Sequence, residues 1–205
     1  VKRLKNRKTK IIVGTSIEKN FNTPNELAHE DYLSCLEKVY EFSDYIAVNI
    51  SSPNTESLRE LSSQDHLKFL LSKIKSMQEN LTILYGYKPI FIKISPDEEL
   101  ENLKRICNAI LNHKLDGIIC SNTTIDHKNI KGKGGLSGTP LKTKATDKLL
   151  FVKNIVKNQV PIIASGGVMS ASDYKEKIDA GADLVQIYTG FIFKGPELVK
   201  ELINL

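Results

Sequence analysis

The side chains able to do chemistry stand in short clusters, each directly behind an apolar run. Behind "YIAV" come Asn49, Ser51, Ser52, Asn54 and Thr55, within "NISSPNT". Lys93 lies near the end of "PIFIKI", and Ser121, Asn122, Thr123 and Thr124 follow "DGIIC". The last two runs exit through glycines, in "ASGGV" (Ala164–Val168) and "QIYTG" (Gln186–Gly190, with Tyr188 and Thr189). A turn needs one or two such residues, and the first cluster has more than turning requires. The set is amides and hydroxyls with one lysine. It lacks the carboxylate pair of glycoside hydrolysis and the histidine of a Ser-His-Asp relay. The 4 histidines show no H-E-x-x-H spacing, and no metal is expected. Amides around a flat ligand suit a cyclic imide or a pyrimidine, whose edge alternates donors and acceptors. A lysine beside a phosphate site suits an anionic cofactor. Plainer readings exist: Ser51 and Ser52 could cap a loop, and Lys93 could point out between helices. Ile92 and Ile94 occupy the opposite pleat from Lys93, which favours the inward reading.

These clusters need a scaffold that puts strand ends side by side. β-branched runs recur near Lys10–Gly14, at Tyr45–Ile50, Pro89–Ile94, Asp116–Cys120, Val160–Ser165 and Asp183–Tyr188. Helical segments are expected over Asn25–Phe42, Gln64–Met77, Asp97–His113, Thr143–Lys157, Ser172–Ala180 and Pro196–Leu205. Strands apolar throughout and alternating with helices indicate a parallel sheet covered by helices. No G-x-G-x-x-G follows the first strand, which disfavours a nucleotide-binding open sheet. A (β/α)8 TIM barrel fits better. It binds phosphate at the loops after its last two strands, where the two glycine exits stand, although glycine exits also serve ordinary tight turns. The expected fold class is therefore α/β, with the chain supplying about the last six βα units of the barrel. Two strands are expected upstream of Val1, in keeping with a start that is not Met. The long stretch Asn122–Lys142 follows a strand and is expected to cover a ligand.

Composition narrows the function classes. The 205 residues are 40% hydrophobic and 26% charged, a globular profile. No apolar run is long enough to span a bilayer. The net charge of +5 comes from lysines spread along the chain, and no basic stripe interleaved with aromatics marks nucleic-acid binding. The basic run Lys2–Lys10 reads as a solvated helix end. Three scattered cysteines, Cys35, Cys107 and Cys120, read as free thiols in a reducing compartment.

Six segments, "NISSPNT", "KISPD", "SNTT", "GGLSGTPL", "PIIASGGV" and "AGADLVQIYTGFIFKGP", occur here in that order. Together they resemble the dihydroorotate dehydrogenase family, from about residue 10 to the C-terminus. The resemblance implies an eight-unit barrel with FMN and orotate at the C-terminal strand ends. It implies oxidation of dihydroorotate to orotate in pyrimidine biosynthesis: a base takes a proton from C5 and a hydride leaves C6 for the flavin. Serine at position 52 is similar to the quinone-linked class, whose soluble counterpart has cysteine there. Carried over by motif, Ser52 would be the base. Asn49, Asn54, Asn122 and Thr123 would hold the substrate. Asn49, Lys93, Ser121, Gly138, Gly167, Tyr188 and Thr189 would hold FMN, the last three around its phosphate. A hydroxyl is a poor base at neutral pH, so Ser52 would pass its proton on through Thr55 or a water.

Two departures stand out. The family's "NIGKNK" would begin at Ile12, which replaces an asparagine near FMN. Ser57 replaces a glycine of the "SSPNT" loop. The resemblance also implies that residues 1–205 are the C-terminal portion of one FMN-binding barrel domain. The upstream strands and the helical region receiving quinone and membrane would then lie outside it. The expected location is the mitochondrial inner membrane, or the cytoplasmic membrane if the source is bacterial. The rival expectations are another FMN barrel oxidoreductase acting on a dihydropyrimidine, and an inactive truncated relative serving as a scaffold.

Overall fold

The computed structural model describes residues 1–52, 64–127 and 134–205. Asn54, Thr55 and Ser57, named above, lie outside the described residues.

Six strands follow one another in chain order across a single sheet: β1 Gly14–Ile17, β2 Tyr45–Asn49, β3 Ile90–Ile94, β4 Gly117–Cys120, β5 Ile162–Ser165 and β6 Leu184–Gln186. Every neighbouring pair is parallel. The helices between them are α2 Ala28–Val39, α3 Gln64–Tyr85, α4 Leu100–Asn112, α5 Lys142–Val156 and α6 Ala171–Asp179. A short exposed α1, Lys2–Lys5, precedes the sheet, and α7 Thr189–Lys194 and α8 Pro196–Ile203 follow it. The sheet curls into part of a TIM barrel, as expected.

Strand alternation divides the molecule into two cores. Ile46, Val48, Ile90, Ile92, Ile94, Ile118, Cys120, Ile162 and Ala164 point at the helices and join the main core. The other pleat carries Ala47, Phe91, Ile119 and Ile163, which pack with Tyr45 inside the curl. One step further along that inner pleat the composition turns polar: β2 ends on Asn49, which pairs with Lys93, the penultimate residue of β3. The inner face is thus apolar at its base and polar at the C-terminal strand ends, where a barrel binds its ligand.

The first strand departs from expectation. It runs Gly14–Ile17, not Lys10–Gly14, and Ile11 and Ile12 are 71% and 75% exposed. The register Gly14↔Tyr45 sets it. A Cβ at Gly14 would lie 2.0 Å from the Tyr45 ring, so only glycine fits opposite this tyrosine. The Asp44 carboxylate accepts from Val13 N and from Arg7, pinning the entry to β1. This moves the family pattern too. "NIGKN" overlays "SIEKN" at Ser16–Asn20, with Ile17, Lys19 and Asn20 in common. Ser16, not Ile12, therefore stands at the asparagine's place, and Glu18 stands at the glycine's. Helix α3 is also longer than its sequence pattern indicated, by about two turns.

Candidate active site

The C-terminal strand ends bring most of the expected residues together. Lys93, Ser121, Asn122, Thr123, Gly138, Gly167, Tyr188 and Thr189 line one cleft of about 260 Å³. Asn49 joins through a hydrogen bond: its Oδ1 accepts from Asn122 Nδ2 at 3.0 Å. Ser52 is buried, three residues beyond β2, next to Ser51. It does not line the cleft itself. Asn54 lies outside the described residues.

The amides form a connected network. Asn122 Nδ2 also donates to Ser51 Oγ (3.2 Å), and Asn122 Oδ1 accepts from Thr123 N (2.9 Å). Ser51 Oγ donates to the Lys93 carbonyl (3.0 Å). Asn49 Nδ2 donates to Glu18 Oε2 (2.8 Å), and the buried Tyr32 hydroxyl donates to the Asn49 carbonyl (2.6 Å). The ends of β1, β2, β3 and β4 are thereby tied by side chains as well as by the ladder. Such cross-linking holds polar groups in one geometry.

A second tie holds the loop after β4. Lys144 of α5 reaches Asp97 (2.5 Å) and Asp126 (3.4 Å), and the Thr124 hydroxyl also donates to Asp97. Thr124 bridges in antiparallel fashion to Leu136 across the long loop. At the far side, Ser137 Oγ and Thr189 Oγ1 lie 2.7 Å apart, joining that loop to the exit of β6.

Two features of the cleft fit an anionic, flat ligand. Lys93 points into it with no hydrogen bond or ion pair to its ammonium among the described residues. Burial lowers its pKa below the ordinary lysine range, because the charged form loses solvation. The glycine exits converge here as well. Gly166 and Gly167 both have positive φ, and a Cβ at Gly167 would lie 2.3 Å from Lys142 Cα. This turn brings backbone N–H groups to the cleft where no side chain could follow.

Several participants escaped the sequence reading. Ser137, Ser165 and Gln186 line the cleft, and Glu18 touches the clamp. Gln186 Oε1 is buried without a partner among the described residues. Its signal was a polar residue inside the apolar run "DLVQIY", on the pleat that faces inward. Glu18 had no signal while the first strand was misplaced.

A curled parallel sheet with a polar face at its C-terminal strand ends defines this molecule as part of an α/β barrel of the enzyme-like kind, with its cleft where such barrels bind ligands. The comparisons narrow that class. The family model described as dihydroorotate dehydrogenase matches residues 1–204, and the chain belongs to that family. It is 46% identical over 211 aligned positions to a dihydroorotate dehydrogenase (quinone) of Psychromonas ingrahamii, covering 100% of this chain and 63% of the relative. The corresponding protein of Aliivibrio salmonicida is 44% identical with the same coverage. Among solved structures, the ligand-free type DHODH of Eimeria tenella superposes with a TM-score of 0.89 at 33% identity, covering 99% of this chain and 63% of that one. The chain thus spans just under two thirds of the length of these relatives.

Proposed function

We propose that this chain supplies most of the active site of a quinone-linked dihydroorotate dehydrogenase, which oxidises dihydroorotate to orotate with FMN in pyrimidine biosynthesis. The carrying observation is the Asn49–Asn122–Ser51 network set beside a cleft that holds Lys93, whose ammonium has no partner among the described residues, and two converging glycine exits. Residues 1–205 form, in this reading, the C-terminal portion of one barrel domain. Its support is that β1 and β6 each pair on one side only among the described residues. The apolar inner face between Tyr45, Phe91 and Leu184 also opens onto a cavity of about 590 Å³.

FMN fits the residues present. Among the described residues, Lys93 offers a cation without a counter-charge, Gln186 an unpaired acceptor, and Gly167 a backbone cradle. Gly167, Tyr188 and Thr189 would hold its phosphate, and Gly138, Ser121, Asn49 and Lys93 its ring system. FMN would supply hydride acceptance, and the Lys93 ammonium would offer positive charge to offset the negative charge it gains. Asn49, Asn54, Asn122 and Thr123 hold the flat, amide-edged substrate, and the hydrogen bonds that join Asn49, Asn122 and Thr123 set its plane. Ser52 takes the proton from C5. Its burial keeps bulk water from that proton, so a defined relay must carry it away.

The curated relatives are bacterial, which favours the cytoplasmic membrane over the mitochondrial inner membrane as the place where a quinone is met. No helix among the described residues is long and apolar enough to cross a membrane.

Ser52→Ala tests the reading in the FMN-loaded full-length protein. Flavin reduction by dihydroorotate should slow by about 100-fold or more, the scale for losing a general base. Orotate should still perturb the flavin absorbance. Unchanged reduction would remove Ser52 as the base. A colourless protein that FMN cannot reconstitute would leave only a scaffold role.

A further inference from the structure

Glu18 sits one residue beyond β1, on the pleat that carries Ser16 inward. It replaces the glycine of the family pattern, and its carboxylate accepts from Asn49 Nδ2 at 2.8 Å. A carboxylate can only accept, so the Asn49 Nδ2 must face Glu18. The opposite side of the amide agrees. Ser51 N and Asn122 Nδ2 are donors, and both meet Asn49 Oδ1, at 3.2 and 3.0 Å. The amide is therefore bracketed in one orientation from two sides. With glycine at position 18 one bracket is gone, and so is a negative charge beside the clamp.

We propose that Glu18 is a specificity-determining and positioning residue of this site: it locks the Asn49 amide and penalises ligands that bring a carboxylate to the same edge. Glu18 is itself exposed, so its carboxylate is not committed to the packed interior. The inference rests on the pyrimidine-binding reading above. It adds that this chain has traded affinity for an anionic pyrimidine against a fixed clamp geometry.

The test separates charge from positioning. The FMN-loaded full-length protein is titrated with orotate and with its neutral methyl ester, and the flavin absorbance gives both Kd values. Glu18→Gln keeps an acceptor for Asn49 but removes the charge. It should tighten orotate by about threefold or more, the scale of one like charge at a partly solvated site, and leave the ester unchanged. Glu18→Ala removes the bracket as well and should weaken the ester by about threefold or more, the scale of one hydrogen bond. Orotate binding unaltered in Glu18→Gln, or ester binding unaltered in Glu18→Ala, overturns the proposal. If the parent protein holds FMN but binds neither ligand, the dihydroorotate reading itself fails, which is a different result from either.

Discussion

Gly167→Ala puts the proposed phosphate end of the cleft to a quantitative test. Gly167 has φ +80, a region where an L side chain costs about 1–2 kcal/mol. The added methyl would also lie 2.3 Å from Lys142 Cα and 2.8 Å from Lys142 N, well inside ordinary carbon contact. Both atoms are backbone at the start of α5, so no side chain can swing aside. Relief requires the loop or the helix to move, at about 1–3 kcal/mol for overpacking. Gly86→Ala is the matched control, because Gly86 has φ +78 and nothing within 4 Å of the added methyl. It bears the backbone cost alone. Urea unfolding at pH 7 should place Gly167→Ala below Gly86→Ala by about 1–3 kcal/mol. FMN retained after gel filtration should fall about tenfold or more in Gly167→Ala, since the amides proposed to face its phosphate are displaced. In Gly86→Ala it should be unchanged. Equal unfolding midpoints and equal flavin content in the two variants would show that the close approach of Gly167 to α5 does not shape this site.

Two further outcomes follow from charge. Lys93 has its pKa lowered by burial, so its charged form costs stability at neutral pH, and that cost is relieved as pH rises through the folded-state value. Lys93→Met should therefore raise the Tm of the FMN-free protein by about 2–4 °C, or ~1 kcal/mol, with the gain shrinking at alkaline pH, while FMN affinity falls; a lower Tm at pH 7 would refute the desolvated placement. Asp44 is held down to about 2, first by the Arg7 guanidinium and then by Val13 N–H. Its contribution is complete above the ordinary aspartate value of about 4 and is lost as pH falls from there to about 2. Asp44→Asn should cost about 1 kcal/mol at pH 7, because both side chains are partly solvated. It should also flatten the acid limb of stability between about pH 4 and 2, measured by urea midpoints across that window.

The strands that could be read from sequence were those buried on both pleats. β2 to β5 present isoleucine, valine, cysteine or alanine to the helices and alanine, phenylalanine or isoleucine to the inside of the curl. They therefore look like unbroken apolar runs. β1 breaks that rule. Its inner pleat is Gly14 and Ser16, since the Tyr45 ring fills the space over Gly14. The run actually visible, "IIVG", is the solvent-facing approach to the strand. A continuous apolar run identifies a strand only where both faces are covered, and that condition is invisible before the neighbours are placed.

The same physics decides which part of the site could be read. Asn49, Lys93 and Ser121 each sit where the inner pleat of a legible strand turns from apolar to polar. Counting in twos from Ala47, Phe91 or Ile119 reaches them directly. Applied to β1 in its true register, the same count runs Gly14, Ser16, Glu18, and its third member is the residue that hydrogen-bonds Asn49. Glu18 was thus encoded in the same way as the others. A strand ended at Gly14 stops that count before Ser16 and Glu18 are reached, and leaves a charged neighbour of the clamp looking like an unrelated loop residue.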